Sequence, residues 1–169
     1  MKFRDVSGDS AKALETTVRM THDGSHLYVA LQCRHDGKTT VEPASEREHD
    51  MDRSGQDRVE LTLDLDRDYQ TYYRFSVDRR GAVAEDCWGD KSWNPRWFVA
   101  VKEKPFSWTA ELAIPLTELT GSKPDLGEVW AANAVRTIPN VGVQAWSLPA
   151  GVKPRPEGMG LIQFVGRGE

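Results

Sequence analysis

Three tryptophans crowd into ten residues, Trp88-Gly89-Asp90-Lys91-Ser92-Trp93-Asn94-Pro95-Arg96-Trp97. Flat indole faces suit the apolar side of a pyranose ring, and planar polar groups suit its hydroxyls. The chemistry that this segment points to is therefore sugar recognition, with Trp93, and Trp88 beside it, as exposed platforms. A competing reading packs Trp88 and Trp97 into the core as strand ends and leaves only Trp93 exposed. Glu60 and Arg74 fall on adjacent predicted strands with the same facing. A carboxylate can accept two hydroxyls, and a guanidinium presents a rigid fork of donors. The two either line a polar binding face or form a cross-strand salt bridge on a solvated sheet.

Asp64-x-Asp66-x-Asp68 gathers hard oxygens at a strand end, the donor type that calcium prefers. The glycine and distal glutamate of an EF-hand loop are lacking, and acidic strand-end turns occur equally without metal. Catalytic signatures are missing: there is no nucleophile elbow, HExxH or P-loop. Glu85 and Asp86 are adjacent, so on a strand they point to opposite faces and cannot flank one glycosidic bond. His22, His26, His35 and His49 lack metal-ligand spacing, and Met51 and Met159 sit in polar or loop segments rather than an apolar haem pocket. Cys33 and Cys87 are distant in sequence and form no CxxC; two free thiols are expected rather than a bridge.

The elements that would carry these residues follow a period of two. Thr16 to Met20 and His26 to Arg34 flank the turn signal Asp23-Gly24 and predict a hairpin. Arg58 to Asp66 alternates cleanly, with Val59, Leu61, Leu63 and Leu65 on one face. Further strands are predicted over 71–78, 82–88, 97–103, 108–114, 127–138 and 160–165, with one helical turn over 115–119. Val59, Leu61, Leu63, Phe75, Val77, Leu112 and Ile114 form the expected core. The polar stretch 35–57 reads as a long loop. About ten short strands and almost no helix predict an all-β, two-sheet antiparallel sandwich occupying residues 1–169 as a single domain.

The chain has 169 residues and a formal net charge of −4, which argues against a nucleic-acid partner because phosphate binding needs a basic patch. No apolar run approaches the ~20 residues of a membrane span. Met1-Lys2-Phe3 leads directly into polar residues without a signal-peptide pattern, and the expectation is a piece of a longer protein with Met1 added.

The order of several motifs resembles a family 9 carbohydrate-binding module, within the wider DOMON-like superfamily. They are His22-Asp23-Gly24 with Leu27-Tyr28-Val29, Gln56-Asp57-Arg58-Val59-Glu60-Leu61, Tyr73-Arg74-Phe75, Trp108 to Pro115, Gly127 with Trp130 and Asn133, Arg136, Ala145-Trp146-Ser147, and Gly160-Leu161-Ile162. The resemblance covers roughly residues 16–165. It implies a non-catalytic domain that binds a saccharide between two tryptophans, carries structural calcium, and belongs to a larger extracellular or periplasmic protein with other domains. Trp146 matches one of the slot tryptophans, Glu60 the motif glutamate and Arg74 the strand arginine; Ser76 stands where the family has asparagine. The second platform is missing, since Arg53-Ser54-Gly55 occupies its place. The implied binding set is Trp146, Glu60, Arg74 and Ser76, with Trp93 or Trp88 replacing the lost platform, and Asp64, Asp66 and Asp68 as the calcium candidates. Two alternatives stand beside it: a structural or protein-interaction domain that has lost the sugar slot, and, more remotely, a haem-binding relative.

Overall fold

The computed structural model describes residues 1–6, 14–37, 41 and 55–166. Their strands are β1 (Arg4–Asp5), β2 (Thr16–His22), β3 (His26–Arg34), β4 (Arg58–Asp64), β5 (Tyr73–Asp78), β6 (Val83–Cys87), β7 (Phe98–Lys104), β8 (Ser107–Pro115), β9 (Val129–Ile138), β10 (Gly142–Ala145) and β11 (Gly160–Gln163). Short 3-10 turns cover Leu116–Glu118 and Pro156–Gly158. One sheet runs β1-β10-β9-β4-β5-β6, with β11 pairing β9 beside β10; the other runs β2-β3-β8-β7. Every pairing is antiparallel. The predicted two-sheet sandwich is the fold of the chain.

Alternation decides which side of each strand is buried. Leu27, Val29, Leu31 and Cys33 of β3 and Trp108, Ala110, Leu112 and Ile114 of β8 meet Val59, Leu61 and Leu63 of β4 and Phe75 and Val77 of β5. All seven expected core residues are buried, none more than 3% exposed. At one end the two sheets are joined by polar groups. Arg136 of β9, fully buried, donates from Nε and Nη2 to the two oxygens of Asp57 at 2.8 and 2.6 Å. It also donates to Thr16 Oγ1 on β2 and the Arg34 carbonyl on β3, each at 2.8 Å, and to the Leu14 carbonyl at 3.5 Å, and Trp108 Nε1 of β8 donates to the same Asp57 carboxylate at 2.9 Å.

Several boundaries differ from the sequence reading for local reasons. β4 stops at Asp64, whose two oxygens accept the Arg67 and Tyr69 N–H groups; Arg67 and Tyr69 adopt φ of 61° and 58°, which no strand continues. β5 starts at Tyr73 because Asp68 Oδ1 holds the N–H groups of Gln70 and Thr71 in the same turn. β1 and β10 lacked a sequence signal: one has two residues, and the other begins at a glycine after the Asn140 turn. Cys33 and Cys87 are free thiols, and burial pushes the Cys33 thiol up to about 12.

Candidate functional site

The outer face of the larger sheet carries the polar residues singled out above. β4 pairs β5 with Glu60 opposite Ser76 and Thr62 opposite Arg74, while Thr62 also lies opposite Asn133 of β9. Paired residues of antiparallel strands share a face, so Glu60, Thr62, Arg74, Ser76 and Asn133 all point away from the core formed by Val59, Leu61 and Phe75. Over β9 this face is covered. Asn133 donates to the Ser147 carbonyl at 3.0 Å and accepts the Ser147 N–H at 3.0 Å, and Ala150 packs on Val135 and Ala145. Gly158 closes that covering segment: a Cβ there would lie 1.6 Å from the Pro149 carbonyl oxygen, so only glycine fits. At the other side lies β6, about three strand spacings or ~14 Å from β9. Between them lie β4 and β5, whose outward Thr62 and Ser76 are buried at 4% exposure each, with Glu60 and Arg74 half-buried.

Glu60 and Arg74 do not bond to each other. Arg58 donates to Glu60 at 3.0 Å along the same strand, and Arg74 donates from Nε to Asp86 Oδ2 at 2.6 Å across to β6. Asp86 is buried, and its second oxygen accepts the Gly89 N–H at 2.8 Å. That bond ties down the turn Cys87-Trp88-Gly89-Asp90, in which Trp88 and Gly89 have φ of 52° and 84°. One carboxylate therefore fixes both Arg74 and the turn that displays Trp88. Ser76 Oγ is buried and has no hydrogen-bond partner among the described residues. A buried hydroxyl of this kind carries a desolvation cost that no hydrogen bond among the described residues offsets.

The tryptophans sort differently from either expectation. Trp88 is 66% exposed rather than packed into the core. Trp97 is fully buried and donates to Glu85 Oε2 at 2.9 Å. Trp93 is half-buried and packs against Tyr73 and Phe75, with ring centroids 4.9 and 5.5 Å apart. Those rings sit on the opposite face of β5 from Arg74 and Ser76, so Trp93 is not a platform over that pair. Trp146 follows β10 directly, with its N–H on the Ala134 carbonyl at 2.9 Å. It is half-buried against the core, and a Cβ on Gly160 would come within 3.1 Å of its ring. Glu85 and Asp86 point to opposite faces as expected, in register with Phe75 and Arg74. Asp86 itself went unrecognised as a partner of Arg74, because only the β5–β6 register brings the two together.

The side-chain oxygens of Asp64, Asp66 and Asp68 lie within 4.8 Å of one another. Three carboxylates suit a hard cation, and these residues would hold calcium if it binds. The same oxygens already serve the turn, since Asp64 accepts Arg67 and Tyr69 and Asp66 accepts the Asp68 N–H. Burial, with the neighbouring Asp66, raises the Asp64 carboxyl above the usual carboxylate range. Arg53, Ser54, His49 and Met51, named in the sequence reading, lie outside the described residues.

Two solved structures share this architecture. A family 9 carbohydrate-binding module from Caldicellulosiruptor kristjanssonii, solved with cellotriose, superposes with a TM-score of 0.71 at 19% identity, over 92% of this chain and 77% of that one. An inferred carbohydrate-binding protein from Bacteroides uniformis superposes with a TM-score of 0.69 at 15% identity, over 96% of this chain and 84% of that one. The fold is that of a family 9 carbohydrate-binding module. No family model and no curated protein matches the sequence.

Proposed function

We propose that this chain is a non-catalytic saccharide-binding module whose site is the outer face of the larger sheet, between the segment covering β9 and the Trp88 turn. The observation that carries this reading is the Arg74–Asp86–Gly89 linkage, which couples a guanidinium to a 66% exposed tryptophan. Glu60 accepts sugar hydroxyls, Arg74 donates to them, and Trp88 offers the apolar face, the role that the sequence reading gave to Trp93 or Trp88. Trp146, half-buried against the core, takes no part in this site, and the Ser76 hydroxyl lies beneath it rather than in reach of a ligand. The fold shared with a cellotriose-binding module supports the ligand class. Cellotriose titrated into the chain should change tryptophan fluorescence. Trp88→Ala should weaken that response about tenfold, equivalent to ~1.4 kcal/mol, with an unchanged melting temperature. Failure of cellotriose and of a neutral-glycan panel to bind at millimolar concentration would refute the proposal.

A second reading, a scaffold domain that kept the fold without the sugar slot, draws on Trp93 and Trp146, both of which pack against the core. Absence of saccharide binding by the intact, folded chain would favour it.

A further inference from the structure

The outer face of the smaller sheet has no part in the proposed site, yet its residues are arranged in ordered rows. Thr17, Gln32, Thr109 and Lys102 lie in register across β2, β3, β8 and β7. The next row is Arg19, Ala30, Glu111 and Ala100, and the one after is Thr21, Tyr28, Ala113 and Phe98. Two hollows of about 340 and 400 Å³ share Arg19, Ala30 and Glu111 and so form one trough. The small Ala30, exposed at mid-sheet, makes its floor. Lys102 and Lys104 line the first hollow and Tyr28 the second.

Charge on this face runs against the chain as a whole. Arg19, Lys102 and Lys104 are exposed and make no ion pair among the described residues, against the single carboxylate Glu111 within the trough. The protein carries a net formal charge of −4, so this concentration of cations is local. Arg19 on β2 and Lys102 on β7 lie three strand spacings apart across the sheet, about 14 Å, and one row apart along it, with the amide of Gln32 and the hydroxyl of Thr109 on the two strands between them. Beyond the trough, His26 lies between two aromatic rings, Tyr28 at 5.7 Å and Phe98 at 6.5 Å, and Phe98 is 55% exposed. A row of hydrogen-bonding groups flanked by separated cations and ending in exposed rings suits a chain of hydroxylated rings bearing widely spaced carboxylates. Arginine matches a carboxylate with two parallel bonds. Glu111, while accepting hydroxyls, disfavours a ligand with dense negative charge.

We propose that this trough is a second binding surface, independent of the first, for an acidic oligosaccharide of the uronate type. The test is calorimetric titration of the full chain with a galacturonate trisaccharide at physiological salt, with cellotriose titrated in parallel. Binding of the trisaccharide should weaken at least about tenfold in Arg19→Glu/Lys102→Glu, both exposed positions, while the melting temperature and any cellotriose affinity stay unchanged. No uronate binding at millimolar concentration, or binding indifferent to the double substitution, would overturn the proposal. Equal binding of a sulfated trisaccharide would overturn it as an unspecific basic surface. Equal binding of a glutamate-rich peptide would make the face a protein-docking surface instead. Because the two faces are opposite, loss of cellotriose binding alone bears only on the first site.

Discussion

Replacing Asp57 with alanine should be among the most costly single changes in this domain. Arg136 has no exposed surface, and Asp57 supplies both of its carboxylate contacts, at 2.6 and 2.8 Å. Removing one partner of a buried pair typically costs ~3–5 kcal/mol because the other charge stays buried. Arg136 keeps Thr16 Oγ1 and the Arg34 carbonyl, which points to the lower end of that range, ~3 kcal/mol. Trp108 Nε1 also loses its acceptor, adding about 1–3 kcal/mol. The expected total is ~4–6 kcal/mol, a large part of the roughly 5–15 kcal/mol that holds a typical domain. Urea denaturation followed by tryptophan fluorescence measures it, with Arg136→Met/Asp57→Leu as the companion. The double variant removes both charges and should recover most of the loss, because an apolar replacement of a buried pair is often neutral. A cost below about 1 kcal/mol for Asp57→Ala would refute the view that this carboxylate joins the sheets. So would a double variant as unstable as the single one.

Two further outcomes follow from the core and the acidic turn. Leu61→Ala, at a position 2% exposed in the middle of β4, should cost ~2–5 kcal/mol and lower the urea midpoint; a neutral result would mean that β4 faces the other way. If calcium occupies the Asp64, Asp66 and Asp68 oxygens, millimolar calcium should raise the melting temperature relative to chelator, and Asp66→Asn/Asp68→Asn should abolish the difference. Identical melting in chelator and calcium would leave the cluster as a hydrogen-bonded turn.

The fold was legible because burial on one side of a strand imposes alternation, and β3, β4, β5 and β8 display it without interruption. The elements that escaped were those too short to show a period, β1 and β10. Where β4 ends was hidden for a different reason: Leu65 continues the apolar alternation, but the Asp64 carboxylate captures two backbone N–H groups and turns the chain. The site was only half legible. The facing of Glu60 and Arg74 followed from period two, whereas their partners did not, since Asp86 becomes a neighbour of Arg74 only once the β5–β6 register is known. The tryptophan loop gave composition without direction. Trp93 turns inward because Tyr73 and Phe75 offer it rings, Trp97 because Glu85 offers its N–H an acceptor, and neither contact is local in sequence.

The motif residues behind the family resemblance divide by the face they occupy. Asp57, Trp108 and Arg136 meet between the sheets, where one carboxylate serves an indole and a guanidinium drawn from opposite layers. They join the two sheets of this chain, and they say nothing about a ligand, because none of them reaches the outer face of either sheet. Glu60, Arg74 and Ser76 do reach it, and there the substitutions matter. Serine in place of asparagine shortens the polar reach of β5 and leaves a buried hydroxyl unpartnered. Trp88, in the turn after β6, is the exposed tryptophan of this end of the sheet and is held through Asp86. A ligand gripped between β6 and the segment over β9 would lie across β4 and β5 in an orientation set by Trp88.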